Sequence, residues 1–357
     1  MKNNFIYIRG LRKVDHTVFA VNDGQKYYTD PQFNIKLAYS SGQQVKRSII
    51  EALGLPFAAI TFNWEIDKSG KAGMKEPHSP CDPLFVDQLL GGYMKSEKDK
   101  LTVKRRSPLS ISAMRPLHPL LGRLEWEKEA EAVSYDRSAY PENHIVKVFA
   151  TDEKGKRIEI EKDKLEEWLT SNERSLGPKY YNPTGQNRAT GLFIYDIAID
   201  LRTLLCVSLN KLEPELFPAI EEKLRAENWI ESKNIFGRCL VCPKDKREEI
   251  IDRLAHAIIN WRITSNQSRT FSLMETLALA ISNNANKIAF AIRAELKDEY
   301  DRPTAQPIID ENSGAEIFLT PLISSIIPGF SGSADALDKA EEKLKEMMLA
   351  FDYENQV

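Results

Sequence analysis

The chain has 357 residues, of which 42% are hydrophobic and 28% charged, and its formal net charge at pH 7 is −3. This composition predicts a soluble protein with a sizeable core, and no apolar run approaches the length of a membrane span. Four cysteines are too few for a disulfide framework at this size. The first residues lead directly into a strand-like pattern, so we expect no signal peptide and a cytoplasmic location.

The charge of the chain is unevenly distributed. Residues 31–50, 100–124 and 253–274 contain no aspartate or glutamate. The basic residues of these three acid-free segments include Lys36, Lys46, Arg47, Lys100, Lys104, Arg105, Arg106, Arg115, His118, Arg123, Arg253, Arg262 and Arg269. If the segments meet in the fold, a nearly neutral protein would still carry a basic groove suited to a polyanion.

The first elements along the chain are two short strands and a helix. Apolar patterns predict strands over 5–8 and 17–21, joined by a polar turn, and a helix over 42–53. Ser41 and Gln44 have the spacing of a capping box at the start of that helix. Winding at helical period places three polar residues on one face and leaves Ile50 on the same side; the three are Gln43, Lys46 and Arg47.

The amino-terminal end of this helix would suit a phosphate. Amide and cationic side chains would lie there, close to the positive end of the helix dipole. An ordinary amphipathic helix with a solvated basic face explains the same pattern, and the segment alone does not decide between the two.

The next regular pattern lies at 109–114. Residues 55–83 are rich in glycine, proline and lysine and predict an irregular excursion, and 86–94 is a short apolar piece interrupted by glycines. From Leu109 the residues alternate, which predicts a strand with Ser110, Ser112 and Met114 facing outward. Serine hydroxyls in an acid-free segment can donate to phosphates, although an edge strand with one solvated face gives the same pattern.

Residues 125–190 have a different character from the segments around them. Their charges alternate in sign, and they predict a hairpin over 146–160, a helix over 162–169 and a long polar loop. We interpret this stretch as a projecting insertion with a limited core of its own. A strand over 191–201 then returns to the core, with Asp196 and Asp200 on its polar face. A salt-bridged face explains these two aspartates better than a metal site, because no third ligand accompanies them.

The last third of the chain predicts two helices and a strand. Asp245 and Glu248 have capping-box spacing before an apolar helical stripe that ends at Trp261. The polar loop 264–269 could cradle a phosphate or simply connect to the apolar run 271–281, and a final helix is expected over 334–351. Cys239 and Cys242 have the spacing of half a zinc site, but no second pair matches them, so we expect buried free thiols and no metal or other cofactor.

The order strand, helix, strand, strand, helix, strand is that of a ferredoxin-like or RNA-recognition fold. We therefore predict an α+β protein with a modified core of this kind, a thumb insertion and a smaller finger-like insertion. The predicted division is core at 1–54, 84–124 and 191–331, finger-like insertion at 55–83, thumb at 125–190, and C-terminal helix at 332–357.

Taken together, five ordered blocks resemble the backbone, or filament, subunit of the type I CRISPR surveillance complex, Cascade, within the repeat-associated protein superfamily. The serine pair, glutamine and Lys-Arg pair within 35–53 are similar to the family's first-helix block. The other matching blocks are the apolar segment 86–94, the strand 106–119 with its serines and histidine-proline pair, the strand 191–201 after the thumb, and the glutamine-containing loop 265–271.

The resemblance implies a non-enzymatic protein whose copies polymerise along a CRISPR guide RNA. Each copy would hold backbone phosphates and leave the bases free to pair with target DNA, beside other Cascade subunits and away from membranes. By matching position, the implied RNA-binding residues are Ser41, Gln43, Lys46, Arg47, Arg106, Ser110, Ser112, Met114, Arg115, Gln267, Ser268 and Arg269.

Three alternatives remain open. Related filament subunits cut RNA with an aspartate before the first helix, and Asp23 or Asp30 could take that role. A guide-processing endoribonuclease of the same fold often uses histidine, and His16, His118 and His144 are available. The third alternative is an α+β protein that binds a small ligand.

Overall fold

A computed structural model describes most of the chain and shows the predicted α+β class. The described residues are 4–21, 24–75, 77–96, 101–127, 134–135, 145–151, 156–173, 180–181, 186–264, 270–297 and 302–357. No helix within these ranges is long and apolar enough to cross a membrane.

A central antiparallel sheet organises the molecule. Five of its seven strands form the main path and are, in chain order, β1 (Phe5–Thr17), β2 (Leu109–Ile111), β3 (Gln186–Asp200), β4 (Glu275–Ser282) and β5 (Glu316–Leu319). The other two, Arg115–Pro116 and Gly122–Glu127, pair with β3. The spatial order is β2-β3-β1-β4-β5, and Ile8 of β1 lies opposite Ile197 of β3 and Ile281 of β4. With α1 (Gly42–Ala52) between β1 and β2 and α2 (Lys244–Asn260) between β3 and β4, the first four strands have the ferredoxin-like arrangement.

The prediction of two short strands joined by a polar turn was wrong, because β1 is one strand from Phe5 to Thr17. Gly10 breaks the apolar pattern for a packing reason: a Cβ there would lie 2.4 Å from the ring of Tyr195. Arg12, which suggested an exposed turn, is fully buried.

The main core lies between one face of the sheet and the two helices. It includes alternate residues of β3, and the predicted period of two is confirmed because Phe193, Tyr195 and Ile197 are all buried there. Ile50, which seemed misplaced on the polar face of α1, packs into the same cluster beside Leu89 of the helix Val86–Gly91. A second apolar cluster covers the other face of the sheet, beneath the helix Ala285–Ala291.

The finger-like segment and the thumb segment share a sheet. Its strand order is Arg157–Ile160, Ile145–Thr151, Thr61–Ile66, Ala72–Met74, and the two middle strands are parallel. Trp64, Ile66 and Val148 are buried together in a cluster separate from the main core. The two strands of the predicted hairpin pair antiparallel, and the first of them also pairs with 61–66, a long-range contact between the two predicted insertions.

Two boundaries differ from the predictions. α2 begins at Lys244 after Pro243, so Asp245 lies inside the first turn and the predicted capping box was wrong. β4 begins at Glu275 instead of 271, since Met274 has a left-handed φ of 49°.

The remaining elements are short. The other helices are Leu165–Ser171, Pro218–Ala226 and Ala336–Leu349, and the 3-10 helices are Pro119–Leu121, Lys162–Lys164, Glu311–Ser313 and Pro321–Ser325. The other strands are Ala20–Val21, Gly24–Gln25, Tyr27–Thr29, Lys36–Ala38, Tyr93–Lys95, Val103–Arg105, Arg115–Pro116, Gly122–Glu127, Ser134–Tyr135, Tyr180–Tyr181, Cys206–Ser208, Ile230–Asn234, Gly237–Val241, Ile292–Lys297 and Thr304–Ile309.

Candidate nucleic-acid interface

The amino-terminal end of α1 lies against the β2 edge of the sheet. Ser41 is the N-cap, and its Oγ accepts a hydrogen bond from the Gln44 amide at 3.3 Å, which is the first half of the predicted capping box. Gln44 Oε1 accepts from the Ser40 hydroxyl at 2.9 Å. The Ser40 backbone exchanges two hydrogen bonds of 3.0 Å with that of Met114. The cap of α1 is thereby fixed to the segment that follows β2.

Gly42 makes this approach possible. A Cβ at this position would lie 2.4 Å from the carbonyl oxygen of Ile111, a distance that side chains do not tolerate. The sequence motif contained this glycine, but nothing in its pattern identified the close contact. The first two acid-free segments, 31–50 and 100–124, therefore meet at the start of α1, as the basic-groove hypothesis requires.

The three polar residues predicted on α1 differ in their surroundings. Gln43 is exposed. Lys46 is half-buried, burial lowers the pKa of its ammonium group, and no carboxylate among the described residues forms an ion pair with it. Arg47 pairs with Glu51 at 2.8 Å and stacks on the ring of Phe57 at 4.6 Å. Lys46 is thus the cation on this face that has no acidic partner among the described residues.

The residues predicted along β2 divide into exposed and engaged groups. Arg106, Ser110 and Arg115 are exposed. Ser112 is half-buried, where its Oγ accepts from the Asp196 amide at 2.8 Å and donates to the carbonyl of Ala113 at 3.0 Å. Its hydroxyl is therefore committed to holding the backbone beside β3.

The prediction that Met114 faces outward was wrong. β2 ends at Ile111, so the alternation of sides does not continue to position 114, and the Met114 side chain is fully buried in the main core. Its backbone pairs with Ser40, whereas its side chain cannot contact a ligand on the surface.

The third predicted group, Gln267, Ser268 and Arg269, lies outside the described residues. Its flank is anchored to the end of β1, because the Thr17 hydroxyl donates to the Thr270 carbonyl at 2.6 Å. At the other end of the same acid-free segment, Arg253 Nη1 donates to the carbonyl of Leu53 at 3.4 Å, just beyond the end of α1.

The candidate residues for RNA cleavage have local bonding roles where they are described. Asp30 Oδ1 accepts from the amides of Gln32 and Phe33 at 3.1 and 2.9 Å. His118 Nδ1 accepts from the Leu120 amide at 3.1 Å, and burial lowers the pKa of its imidazole, opposed by the charge of Asp30. His16 is exposed. Asp23 and His144 lie outside the described residues.

The carboxylates and thiols considered for metal binding have other partners. Asp196 pairs with Arg9 at 2.7 Å and Asp200 with Arg202 at 2.8 Å, which confirms the salt-bridged face. All four cysteines are buried free thiols, as predicted, and burial raises the pKa of Cys242 to about 12. In the ranges that the structure describes, no cluster of three or more His, Cys, Asp or Glu could hold a metal ion.

Two solved structures are similar to this chain over most of its length. One, described as a CRISPR RNA-guided surveillance complex, is 11% identical with a TM-score of 0.34, and the match covers 96% of this chain and 84% of that chain. The other, a CRISPR RNA-guided surveillance complex, pre-nicking, is 13% identical with a TM-score of 0.39 and coverages of 96% and 89%. No family model and no curated protein matches the sequence. At TM-scores this low the function has to be argued from the site residues.

Proposed function

We propose that this protein is a non-catalytic RNA-binding subunit that polymerises along a CRISPR guide RNA in a Cascade-type surveillance complex. The observation that carries the proposal is the junction between α1 and β2. There Lys46 has no acidic partner in the described part of the chain, and Arg106, Ser110 and Arg115 are exposed on the adjoining edge. Unpaired cations and hydroxyl donors next to a helix amino terminus suit a row of phosphates.

The chemistry of this surface favours the sugar-phosphate backbone over the bases. Its side chains are cationic or small and hydroxylic, and a guide RNA varies in sequence, so sequence specificity has to come from base pairing with target DNA. We also propose that the protein acts in the cytoplasm, in a complex of type I, and that it contacts other subunits and copies of itself in a filament.

A non-catalytic role agrees with the bonding of the alternative catalytic residues. Asp30 Oδ1 accepts two backbone amides and His118 Nδ1 accepts a third, so each is used in forming its own turn. Magnesium-dependent cleavage of bound complementary RNA would instead favour the aspartate-dependent ribonuclease.

The test is the salt dependence of RNA binding. Affinity for two unrelated single strands of equal length should be similar, and each phosphate contact should add about 0.7 to the magnitude of the log–log salt slope. The protein purified from its native host should also carry RNA of discrete length. A large sequence preference or a flat salt response would contradict the proposal.

A further inference from the structure

Arg12 lies fully buried on β1. Its guanidinium carbon is 3.8 Å from the centroid of the Trp261 ring and 5.1 Å from that of Tyr195. Nη1 donates to the Trp261 carbonyl at 3.1 Å, whereas Nε and Nη2 make no hydrogen bond of good geometry among the described residues. The buried Tyr195 hydroxyl, which also has no such bond among them, lies close enough to offset part of the effect of burial on the pKa of Arg12. A buried cation with two unsatisfied nitrogens is energetically costly.

Two other buried arginines, Arg105 and Arg247, are each paired with a carboxylate. Arg105 donates to Glu215 at 3.0 Å and places its remaining nitrogens on the carbonyls of Leu89 and Thr203. Arg247 donates to Glu354 and to the Cys242 carbonyl. Within the described ranges no carboxylate forms an ion pair with Arg12, although burial is complete. A negatively charged partner, like those of Arg105 and Arg247, would compensate the charge of Arg12.

A second cation lies beside Arg12. Arg262 Nη1 donates to the same Trp261 carbonyl at 2.7 Å, and burial, together with the positive charge of Arg262, lowers the pKa of Arg12 to about 10. Arg262 is only partly buried, so it is the more solvent-accessible of the two cations.

Neutral donors complete the surroundings. Thr276 lies directly opposite Arg12 in the register of β1 and β4, and its Oγ1 is buried without a partner in the described part of the chain. The indole nitrogen of Trp261 is also buried and unsatisfied among the described residues. A tetrahedral oxyanion could accept from several of these groups at once, as a single carboxylate side chain could not.

We propose that Arg12, Arg262 and Thr276 form a binding site for a phosphate group, entered beside Arg262. Guanidinium groups present paired donors that match phosphate oxygens, and a bound phosphate would supply the charge that the buried pair lacks. The phosphate could belong to the RNA backbone, in which case the inference rests on the proposed function, or to a free phosphate or nucleotide.

A purely structural role is the competing explanation. Stacking between two aromatic rings and the negative end of the α2 dipole both stabilise a cation at this place. The two explanations differ in the response to phosphate, because a structural cation needs no ligand and gains nothing when one is added.

The experiment compares thermal unfolding of the RNA-free protein in inorganic phosphate and in chloride at equal ionic strength and pH. We expect phosphate to raise the unfolding midpoint of the wild type by about 2–4 °C. Arg12→Met and Arg262→Gln should lose most of this rise. Arg225→Gln, which removes an exposed arginine paired with Glu221, is the matched control and should keep it. In chloride, Arg12→Met should unfold no earlier than the wild type, since an apolar side chain replaces an uncompensated buried charge.

The outcomes separate the possibilities. The proposed site would be overturned if phosphate did not raise the unfolding midpoint of the wild type, or if it raised that of Arg12→Met by the full amount. If Arg12→Met does not fold, a full rise in the unfolding midpoint of Arg262→Gln would overturn the site instead. The source of the phosphate is identified by measuring the affinity of Arg12→Met and Arg262→Gln for an RNA that carries hydroxyl groups, and no phosphate, at its two ends. A loss of about tenfold or more in RNA affinity in both variants supports a backbone phosphate. Unchanged RNA affinity with a lost phosphate response supports the site and assigns it to a free phosphate or nucleotide. A wild type that responds to phosphate but binds no RNA keeps the site and rejects the proposed function.

Discussion

At the scale of single residues, Lys46 and Arg47 show how neighbouring cations on one helix face come to differ. Arg47 has Glu51 one turn away and the Phe57 ring beneath it, so its charge is already compensated. Lys46 is half-buried with a lowered pKa and no carboxylate partner in the described residues. An uncompensated cation gains more from an added phosphate than one that must first leave an ion pair.

Replacing Lys46 by alanine should therefore weaken RNA binding and reduce the salt slope by about 0.7. The unfolding midpoint should stay unchanged, because the ammonium group has no ion-pair partner to lose in the described part of the chain. Lys339→Ala is the control, since Lys339 is also on a helix but pairs with Asp335 at 2.9 Å. Titrations across a salt series measure both variants. Equal slopes for Lys46→Ala and the wild type would remove Lys46 from the interface.

For Met114 we expect the opposite of Lys46, a loss of stability without a loss of RNA binding, because its side chain is part of the core. Met114→Ala should lower the free energy of unfolding by about 2–5 kcal/mol and leave RNA affinity per folded molecule unchanged. Ser110→Ala, at an exposed position on β2, should change stability by less than about 0.5 kcal/mol. Urea denaturation with parallel RNA binding tests the pair. If Met114→Ala were as stable as the wild type but bound RNA poorly, the result would support the sequence-based prediction that Met114 faces outward.

At the scale of elements, the contact between α1 and β2 depends on Gly42. Gly42→Ala places a methyl group against the Ile111 carbonyl, so α1 has to shift. We expect a loss of about 1–3 kcal/mol in the free energy of unfolding, despite the better helix propensity of alanine, and weaker RNA binding. Gly73→Ala is the control, because its nearest neighbour would be 3.9 Å away. Normal stability in Gly42→Ala would show that the close approach is dispensable.

The small sheet shared by the two insertions should unfold separately from the core. Val148→Asp puts a charge among Trp64 and Ile66, so hydrogen exchange should accelerate in strands 61–66 and 145–151 while β1 and β3 stay protected. Ile158→Asp lies in the same sheet at an exposed position and should have little effect. Accelerated exchange in β1 after Val148→Asp would show that the two cores are coupled.

Elements whose pattern is local were predictable, whereas long-range contacts were not. The alternation of β3 and the stripe of α2 follow from burial on one face, and both predictions were confirmed. The prediction divided β1 into two strands because Gly10 and Arg12 break its apolar pattern. Gly10 makes room for Tyr195 of β3, and Arg12 stacks on Trp261, which follows α2. The parallel pairing of the two insertions joins residues about eighty positions apart and leaves no signal in either segment.

For the candidate site, the polar or charged type of a residue predicted its exposure better than its position in the strand pattern did. The exposed positions of Gln43, Arg106, Ser110 and Arg115 agree with the proposed surface. The predicted orientation of Met114 was wrong because the alternation of sides was extended past Ile111, where the three-residue strand ends. Arg12 carried no sequence signal at all, since a buried arginine is rare and reads as a surface residue.

At the scale of the whole molecule, the main core contains none of the described residues between 125 and 185. Its cluster includes residues of the central sheet, α1, α2, the C-terminal helix and the segment 201–242, and contains no residue of the small sheet. The apolar residues of the small sheet are therefore not part of the main core. In the filament that we propose, each copy would have to reach its neighbour, and we propose the predicted thumb segment for that contact.

Replacing residues 128–185 by a Gly-Ser linker should therefore leave a folded monomer that does not assemble. Trp64→Ser and Ile66→Ser are included in the same variant, because the deletion removes Val148, which covers them. The cut stops before Arg188, which is 1% exposed and belongs to β3. The variant should bind single-stranded RNA weakly and form no multi-copy particles in size-exclusion chromatography or negative-stain images. Wild type carrying only the two serine substitutions separates loss of the segment from loss of the small cluster. Particles of normal length from the deletion would show that assembly does not use this segment, and an unfolded product would show that the core depends on it.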